Sequence, residues 1–362
     1  MARKPDGPLR RGWTTGACAT AATAAAFEAL LTGRFPDPIE IVLPKGERPS
    51  FALAHQKRAG DVVTAGIVKD AGDDPDVTHG ALILSSVRAL GPNTGLRFKA
   101  GRGVGTVTKP GLPIPPGEPA INPVPRRMMT EIVQAVAARL GGRPDLEITI
   151  SIPQGEEMAR HTWNPRLGIL GGLSILGTTG IVHPFSCSAW IASIHRGIDV
   201  ARASHIDHVA GCTGSTSEDG VKKLYDLPDF AFIDMGDFVG GMLKYLRAHP
   251  LPRLTIGGGF TKLAKLATGA MDLHSGRSQL DRAAVAGWLA ELGADPALIE
   301  KTKIANTGAE ILEEAQARGL ALGELVARRA RDQAKAVVEG KIAIEVVAFD
   351  RAGAIIGRAD FA

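Results

Sequence analysis

The chain has 362 residues, of which 44% are hydrophobic and 22% are charged, and its formal net charge is +4. This length allows two or three domains with ample cores, and the composition is typical of a globular enzyme. The mild charge argues against a dedicated nucleic-acid-binding protein and is compatible with an anionic small-molecule ligand.

The cysteines and the apolar runs bear on where the protein works. Cys18, Cys187 and Cys212 are odd in number and share no spacing typical of a metal or redox site, so we expect reduced thiols in a cytoplasmic protein. The start Met1–Pro8 is polar, and no apolar run approaches the roughly 20 residues of a membrane span. The sequence therefore predicts no signal peptide, no membrane segment and no protein metal site.

The first predicted element is an alanine-rich helix over Ala17–Leu31. Thr14 or Thr15 can cap its first turn, and Gly33 can end it in a left-handed conformation. Its small side chains would let the helix lie very close to a sheet. Strand-like runs broken by Pro and Gly follow at Ile39–Leu43, Ser50–Lys57, Val62–Val68 and Ala81–Leu90.

An acidic loop, Lys69–His79, lies between the last two of these runs and holds the aspartates Asp70, Asp73, Asp74 and Asp76. Carboxylates in this number could bind Mg²⁺ or Ca²⁺, although their spacing is not that of an EF-hand. A solvated turn capped by Asp side chains is the alternative, because Asp forms turns readily.

The next segments predict an ordered connection, a helix and a strand. Gly101–Gly111 lacks the dinucleotide-binding fingerprint and fits either a glycine-bearing strand beside a ligand or a twisted edge hairpin. The proline-rich stretch Leu112–Pro125 is expected to be extended and ordered. We expect Pro125 to open a helix that continues through Leu140. Leu146–Ile152 then has the pattern of a strand.

Five glycines fall between Gly168 and Gly180, in an apolar segment that continues to Pro184. Such a segment suggests a backbone shaped around a ligand, and we expect it to lead into a helix over Ser186–Ala203 whose first N–H groups favour anions. The tripeptide Thr178-Thr179-Gly180 repeats Thr14-Thr15-Gly16, and the two copies could flank one anionic ligand. The alternative is a tight turn that packs a helix on a sheet.

The second half of the chain alternates short strands with helices. The connecting segments Gly211–Glu218, Asp234–Asp237 and Gly257–Lys262 are rich in Gly, Asp and hydroxyls. This pattern predicts an open, mostly parallel sheet, which binds ligands beyond the carboxyl ends of its strands. We expect these three segments and Gly168–Gly180 to lie at one edge of that sheet. Gly258–Lys262 lacks the rest of a P-loop, which excludes nucleoside triphosphate hydrolysis.

A polar loop, Met271–Ser278, follows and combines His274 with Arg277, which makes His274 a candidate catalytic residue. The remaining predicted elements are helices over Leu280–Leu292, Thr307–Arg318 and Leu320–Glu339 and a hairpin of Lys341–Phe349 with Ala354–Arg358.

These elements predict two domains of mixed α/β and α+β class. The first, residues 1–145, is an α+β domain with a mixed or antiparallel sheet and helices. The second, residues 146–362, is an α/β domain that has an open, mostly parallel sheet with helices on both faces and carries the glycine-rich segments.

Five segments spread over most of the chain carry a family resemblance: Leu9–Ala26, Lys69–Thr78, Gly103–Met128, Gly168–Pro184 and Gly257–Gly269. In this order they resemble the cobalt-precorrin-5B C1-methyltransferase family of anaerobic cobalamin biosynthesis. The resemblance implies transfer of a methyl group from S-adenosylmethionine to C1 of cobalt-precorrin-5B, which gives cobalt-precorrin-6A. Cobalt would arrive only as part of the corrinoid substrate.

The implied reaction assigns roles to the glycine segments and to nearby charges. In-line attack on a sulfonium methyl depends on positioning and a dry pocket more than on a strong acid or base. Asp234 or Asp237 is a candidate for the ribose hydroxyls of the donor, by analogy with other nucleotide sites. The donor-binding candidates are Gly171, Gly172, Gly177, Thr178, Thr179, Gly180, Gly214, Ser217, Asp234, Gly236, Gly257, Gly258 and Thr261. The candidates for binding the substrate carboxylates are Thr14, Thr15, Lys109, Arg126, Lys262 and Arg277.

Two other functions stay open on the sequence. A nucleotide-dependent oxidoreductase on a Rossmann-like sheet is disfavoured by the missing Gly-x-Gly-x-x-Gly. A non-catalytic corrinoid carrier would bind the macrocycle without turnover. For the methyltransferase, a homodimer and transfer contacts with neighbouring pathway enzymes are possible partners.

Overall fold

The structure is a computed structural model, and it describes residues 7–362. The polar start Met1–Asp6 lies outside these residues. The chain divides into two compact units, of which unit 1 ends at Cys187 and unit 2 spans Ser188–Ala362.

Over its described residues, unit 1 combines short strands with three helices. Its helices are α1 (Thr15–Thr32), α2 (Pro123–Leu140) and α3 (Gly155–Ala159). Its strands are β1 (Gly12–Trp13), β2 (Ile39–Glu40), β3 (Ser50–Phe51), β4 (His55–Ala59), β5 (Val62–Val68), β6 (Leu82–Ala89), β7 (Leu96–Ala100), β8 (Gly103–Val104), β9 (Thr106–Val107), β10 (Leu146–Ser151), β11 (Ile169–Leu170), β12 (Gly172–Leu173) and β13 (Ile181–Val182).

The main sheet of unit 1 has the strand order β4-β5-β6-β10-β7. Its neighbours are antiparallel except β10 and β7, which are parallel, so the predicted mixed sheet is confirmed. Because β10 lies between β6 and β7, the predicted boundary at 145/146 would cut through this sheet. The units divide at Cys187 instead, since the partner of a strand depends on distant segments that its own pattern does not reveal.

Helix α1 is buried along most of its length and packs against β5, β6 and α2. The Thr14 hydroxyl accepts a hydrogen bond from the Ala17 N–H at 3.1 Å, and Gly33 ends the helix at φ 80°. The Thr23 hydroxyl donates a hydrogen bond to a backbone carbonyl of the same helix, and its oxygen lies 2.8 Å from the Ser85 hydroxyl oxygen of β6. The predicted caps and the close approach to a sheet are therefore confirmed.

Helix α2 begins at Pro123 rather than at Pro125. Pro123 occupies the first helical position after Asn122, where the missing N–H costs nothing because it would have had no partner in the helix. Pro125 fits within the same first turn for the same reason.

Unit 2 alternates helices with five strands. Its helices are α4 (Cys187–Ala203), α5 (Ser215–Leu224), α6 (Val239–Ala248), α7 (Phe260–Ala267), α8 (Arg282–Glu291), α9 (Pro296–Ile304), α10 (Gly308–Ala317) and α11 (Leu322–Val337). Its strands are β14 (His208–Cys212), β15 (Phe232–Asp234), β16 (Arg253–Gly259), β17 (Ala343–Phe349) and β18 (Ile355–Ala359).

The sheet of unit 2 has the order β15-β14-β16-β17-β18. The first four strands are parallel and β18 is antiparallel to β17, which makes the predicted hairpin. Helix α5 covers one face, where a Cβ on Gly220 would overlap the Phe349 ring. Helices α6 and α11 cover the other face, where Gly211 lies against Met242. The predicted open parallel sheet with helices on both faces is confirmed.

Two local differences matter for the site. Strand β16 continues to Gly259 and α7 begins at Phe260, so the glycines predicted as a loop are strand and Lys262 belongs to a helix. The sequence analysis also missed α9, although its Asp295-Pro296 start is a helix signal: Asp295 caps the Leu298 N–H at 2.9 Å.

Candidate functional site

The carboxyl ends of three neighbouring parallel strands form one edge in unit 2. In the sheet register Cys212 of β14 lies opposite Asp234 of β15 on one side and Gly257 of β16 on the other. The segments that follow these strands therefore lie side by side, as expected for ligand sites of open α/β sheets. Three of the four segments predicted to share an edge do so, and we call them the carboxyl edge (residues 212–218, 234–237 and 257–262).

Two helices start at the carboxyl edge without a side-chain cap. Gly214 precedes α5 and Gly259 precedes α7, and neither makes a capping hydrogen bond through a side chain. A Cβ on either glycine would meet no atom within 4 Å. Their φ angles, 167° and −73°, are open to other residues, so the fold itself does not require glycine at either position. Both helix N-termini thus offer backbone N–H groups to an approaching anion.

The other glycines of this edge serve packing. A Cβ on Gly257 would lie 2.8 Å from a Val221 methyl, and one on Gly258 would lie 3.0 Å from a Thr213 methyl. Gly236 has φ +55° and lies under the Trp190 ring. At these three predicted donor-binding positions, the protein itself accounts for glycine.

An aromatic pair that the sequence analysis missed borders the Asp234–Asp237 turn. The Trp190 indole N–H donates to the Asp234 carbonyl at 3.0 Å, and its ring centroid lies 6.2 Å from that of Phe238. The Gly236 N–H closes the turn on the Cys212 carbonyl at 3.1 Å. Trp190 has helical spacing with neighbouring apolar residues, so its pattern indicates only a core position.

Two lysines on α7 reach across the edge. Lys262 Nζ lies 2.9 Å from the Thr213 carbonyl oxygen and 3.0 Å from Asp237 Oδ1. Lys265, one turn later, is only 5% exposed and donates to the Leu273 carbonyl at 2.9 Å. Burial lowers the pKa of Lys265 below the ordinary lysine value. The sequence analysis missed Lys265, because a lysine in an amphipathic helix normally lies on the solvated face.

The loop 271–278 joins this edge through its backbone. The Leu273 N–H donates to the Asp237 carbonyl at 2.8 Å. Asp272 shapes the loop by accepting from the His274 N–H at 3.0 Å and by pairing with Arg277 at 2.6 Å. His274 itself is exposed, and its Nδ1 accepts from the Gly276 N–H at 3.1 Å. The geometry thus gives His274 a role in shaping the loop, and its catalytic role stays a prediction.

The glycine segment 168–180 belongs to unit 1 and pairs with strands of that unit. Its strand β11 pairs with β9, β12 pairs with β8, and the following β13 pairs with β1. The expectation that this segment connects a strand of the parallel sheet to a helix, as the three other segments do, is therefore wrong. Strand β13 and a turn with Phe185 at φ 57° also separate the segment from α4, so it does not lead directly into the helix.

Most glycines of this segment are accounted for by close packing inside unit 1. A Cβ would overlap protein atoms at Gly168, Gly172, Gly177 and Gly180. At Gly172 the obstacle is the Gly103 backbone at 2.3 Å, and at Gly177 it is the Thr14 hydroxyl at 2.2 Å. Gly171 alone of the five faces open space, at φ +83°. These contacts favour the packing alternative over a moulded ligand loop.

The two Thr-Thr-Gly tripeptides do come together, as the sequence suggested. The Thr14 N–H donates to the Gly180 carbonyl at 3.0 Å. The Thr15 hydroxyl accepts from the Leu176 N–H at 3.1 Å, and the Thr179 hydroxyl accepts from the Ile181 N–H at 3.2 Å. Because the protein uses these hydroxyls, substrate binding by Thr14 and Thr15 stays a prediction.

Two further predicted substrate ligands have structural partners in unit 1. The Arg126 guanidinium donates to the carbonyls of Ile121 and Pro119 at 2.9 and 3.0 Å and pairs with Glu118 at 3.2 Å, so it holds the proline-rich connection. The Lys109 side chain packs against Gly168.

The acidic loop uses its carboxylates to hold its own turn and its neighbours. Asp70 pairs with the Arg10 guanidinium, and this hydrogen bond lowers the pKa of Asp70 to about 2. Asp73 accepts from the Arg10 N–H at 2.6 Å, Asp74 accepts from the Phe185 N–H at 2.8 Å, and Asp76 accepts from the Thr78 N–H at 2.7 Å. These contacts fit the capped turn rather than the cation site.

Two buried groups lie near that loop. Lys69 is 1% exposed and pairs with Asp76 at 2.5 Å. Burial raises the pKa of the Cys18 thiol to about 12, so Cys18 is protonated at neutral pH and is a poor nucleophile.

Some kinds of site were not found within residues 7–362. No three His, Cys, Asp or Glu side chains in this range come together as metal ligands. In the same range no helix has both the length and the apolar character needed to cross a membrane. All three cysteines are thiols rather than halves of disulfides.

Comparison with known proteins gives the family. The sequence profile of CbiD matches residues 2–184, and that of the CbiD C-terminal domain matches residues 272–360. A Brucella anthropi protein named cobalt-precorrin-5B C(1)-methyltransferase is 61% identical over 97% of this chain and 95% of the relative. A Brucella melitensis protein of the same name is 60% identical with the same coverage.

A solved structure was also found. The 1.9 Å crystal structure of the cobalamin biosynthesis protein (cbiD) from Archaeoglobus fulgidus is 26% identical and covers 75% of this chain and 84% of its own, with a TM-score of 0.41. On the sequence matches, the chain belongs to the CbiD family.

Proposed function

We propose that this protein transfers a methyl group from S-adenosylmethionine to C1 of cobalt-precorrin-5B, giving cobalt-precorrin-6A, and that the carboxyl edge of unit 2 binds the methyl donor. Relatives that share about three fifths of the sequence over nearly the full chain carry the name of this activity. The observation that supports the donor site is the row of three strand ends with two uncapped helix N-termini.

The groups of the donor match the groups of this edge. S-adenosylmethionine has a carboxylate, which suits the open N–H groups after Gly214 and Gly259. Its ribose hydroxyls suit a carboxylate acceptor at the neighbouring strand end, where Asp234 lies. We therefore keep Gly214, Ser217, Asp234 and Thr261 as proposed donor ligands, while Gly236, Gly257 and Gly258 support the backbone behind them.

The chemistry requires orientation more than a reactive side chain. A nucleophilic carbon of the macrocycle attacks the methyl carbon, the bond to sulfur breaks, and S-adenosylhomocysteine leaves with the electron pair. The protein has to hold both molecules in line and exclude water. Burial raises the pKa of the Cys18 thiol to about 12, so Cys18 is a poor candidate for a methyl relay, which would need a thiolate.

The acetate and propionate groups of the corrinoid need fixed positive charges. Lys109 and Arg126 in unit 1 and Arg277 in unit 2 stay proposed partners, whereas the contacts of Lys262 with Thr213 and Asp237 give that residue a different role. Cobalt belongs to the substrate. We also propose a cytoplasmic location for this enzyme, and the homodimer and pathway-enzyme contacts stay predictions.

The oxidoreductase alternative has little support at this edge. The segment Gly211-Cys212-Thr213-Gly214, which ends β14 and leads into α5, does not supply the glycine spacing that a dinucleotide pyrophosphate requires.

The test is turnover together with donor binding. Purified protein is incubated without oxygen with cobalt-precorrin-5B and S-adenosylmethionine carrying a labelled methyl group, and the label is located in the product by mass spectrometry. We expect one labelled methyl at C1. Corrinoid binding without label transfer would instead support the carrier, and binding of NAD(P)H but not of S-adenosylhomocysteine would support the oxidoreductase.

A further inference from the structure

Lys262 belongs to one segment of the carboxyl edge and contacts the other two. It lies in the first turn of α7, directly after β16. Its Nζ donates to the Thr213 carbonyl, which follows β14, at 2.9 Å. The same atom lies 3.0 Å from Asp237 Oδ1, which follows β15. One side chain thereby ties together loops that the chain order separates by about twenty residues each.

The surroundings of the Asp237 carboxylate make it depend on the charge of Lys262. The Asp237 side chain is 13% exposed, and its Oδ1 is fully buried without a well-aligned hydrogen bond. The contact with Lys262 is therefore a charge–charge contact that compensates a desolvated oxygen. Removing either partner would leave the other inadequately compensated in a low-dielectric site.

A second lysine of α7 links the loop 271–278 to the same edge. Asp237 accepts from the Leu273 N–H through its carbonyl, and Lys265 donates to the Leu273 carbonyl at 2.9 Å. Lys262 and Lys265 are one turn apart and so lie on the same side of α7. The first turns of α7 thus hold the loop 271–278 as well as the strand-end segments.

We propose that Lys262 is a positioning residue of the methyl-transfer site, which acts through Thr213 and Asp237 and not by binding a carboxylate of the corrinoid. This inference rests on the proposed donor site at the carboxyl edge. The ammonium donates one hydrogen bond to the Thr213 carbonyl and lies 3.0 Å from the buried Asp237 Oδ1, so its charge already compensates a protein carboxylate.

A double-mutant cycle separates the two roles. We expect Lys262→Met and Asp237→Asn each to lower kcat/KM by about 10- to 100-fold, because a small misplacement of reacting groups is costly. The double variant should be no worse than the weaker single variant, within about twofold, because both remove one contact. Lys262→Arg, which keeps the charge, should restore part of kcat.

Direct binding of the corrinoid by Lys262 predicts a different result. Asp237→Asn would then leave the corrinoid KM unchanged or lower, since the lysine would be released, while Lys262→Met would raise that KM alone. That pattern overturns the proposal, and so does wild-type kcat and KM in Lys262→Met. If Lys262→Met fails to fold, Asp237→Asn and Lys262→Arg decide between the two patterns.

Hydrogen exchange without ligand gives a readout that does not depend on the activity. Faster exchange is expected at residues 213–217 and 234–237 in both Lys262→Met and Asp237→Asn. The matched control is Lys301→Met, which breaks the exposed Lys301–Glu314 pair (2.8 Å) of the same unit and should change neither segment.

The two proposals can fail separately. If hydrogen exchange is faster in both variants but the protein does not bind S-adenosylhomocysteine, the donor site is refuted and the positioning role of the Lys262–Asp237 contact is retained. If the protein binds S-adenosylhomocysteine but both variants exchange at the wild-type rate, only the positioning role of the Lys262–Asp237 contact is refuted.

Discussion

The two glycine-rich regions of this protein look alike in sequence and differ in structure. In unit 1, Gly103, Gly155 and Gly172 approach one another so closely that a Cβ on Gly155 would lie 2.1 Å and one on Gly172 would lie 2.3 Å from the Gly103 backbone, and a Cβ on Gly103 would lie 1.9 Å from the Ile152 carbonyl oxygen. In unit 2, Gly214 and Gly259 face open space with φ angles that other residues can adopt. The first group is required by the backbone, whereas the second is not required by the fold at all.

This difference shows how glycine can be used to locate a site. Where the backbone conformation or a close contact requires glycine, the presence of glycine gives no information about ligands. A glycine in an open position at a helix N-terminus, where Ser, Thr, Asn or Asp would add a cap, calls for another explanation. The proposed donor site supplies that explanation, because glycine leaves room for a ligand to reach the backbone N–H groups.

The largest expected effect is a loss of stability when a closed glycine is replaced, that is, a glycine whose Cβ would overlap neighbouring backbone atoms. Gly103→Ala combines a φ of +76° with a backbone overlap, and it should lower the free energy of unfolding of unit 1 by about 3 kcal/mol or more. Gly141→Ala is the matched control, since Gly141 has φ +69° but no atom within 4 Å, and it should cost about 1 kcal/mol. Urea unfolding of both variants measures the difference, and equal losses would remove the distinction between closed and open glycines.

A second large effect concerns the buried pair of unit 1. Lys69→Met should cost about 2–3 kcal/mol, because it leaves the partly buried Asp76 carboxylate without its cation. Burial alone would raise the pKa of Asp76, but Lys69 and the Thr78 donors together lower it below 3.8.

The sign of the pH dependence follows from that shift. The contribution of Asp76 to stability is present above pH 3.8 and is lost as the pH falls through the lower folded pKa. Unfolding free energies measured across this range should fall less steeply in Lys69→Met than in the wild type. An unchanged slope would contradict the pairing.

The open glycines should affect binding rather than stability. Gly214→Ser and Gly259→Ser each place a hydroxyl where it can cap the helix, so Tm should stay equal or rise slightly. The same hydroxyl competes for the N–H groups and fills the open space, so the affinity for S-adenosylhomocysteine should fall by about 10-fold or more. Calorimetry and thermal unfolding on the same samples check both parts. Full affinity in both variants would mean that the donor carboxylate binds elsewhere.

The smallest expected effect belongs to the thiols. Direct displacement predicts that replacing Cys18, Cys187 or Cys212 by Ala lowers kcat far less than the ~10²–10⁴-fold typical of losing a positioned acid or base. A labelled methyl–cysteine adduct that forms and turns over, detected by mass spectrometry, would replace direct displacement with a relay.

His274→Ala is the contrast, because a large loss of kcat with both ligands still bound would reveal proton transfer.

The sequence predicted much of the fold because its signals there are local. The caps Thr14 and Gly33 and the late helices lie within about two residues of their predicted positions, since capping and periodicity are set by neighbouring residues. The boundary of unit 1 was misplaced because β10 pairs with β6 and β7, which no local pattern shows.

The candidate site was predicted in part for the same reason. The three strand–turn–helix units of the parallel sheet have a regular order, so their loops could be placed at one edge. Gly168–Gly180 could not be separated from them, because the difference between an open and a closed glycine exists only in three dimensions. Lys265 and Trp190 were missed because long side chains reach partners that sequence spacing does not indicate.

The most direct test of the donor site is the crystal structure of this protein with S-adenosylhomocysteine. The account predicts the ligand carboxylate on the N–H groups that follow Gly214 and Gly259, with the ribose beside Asp234. Density for the ligand at Gly168–Gly180, with the carboxyl edge of unit 2 empty, would contradict it.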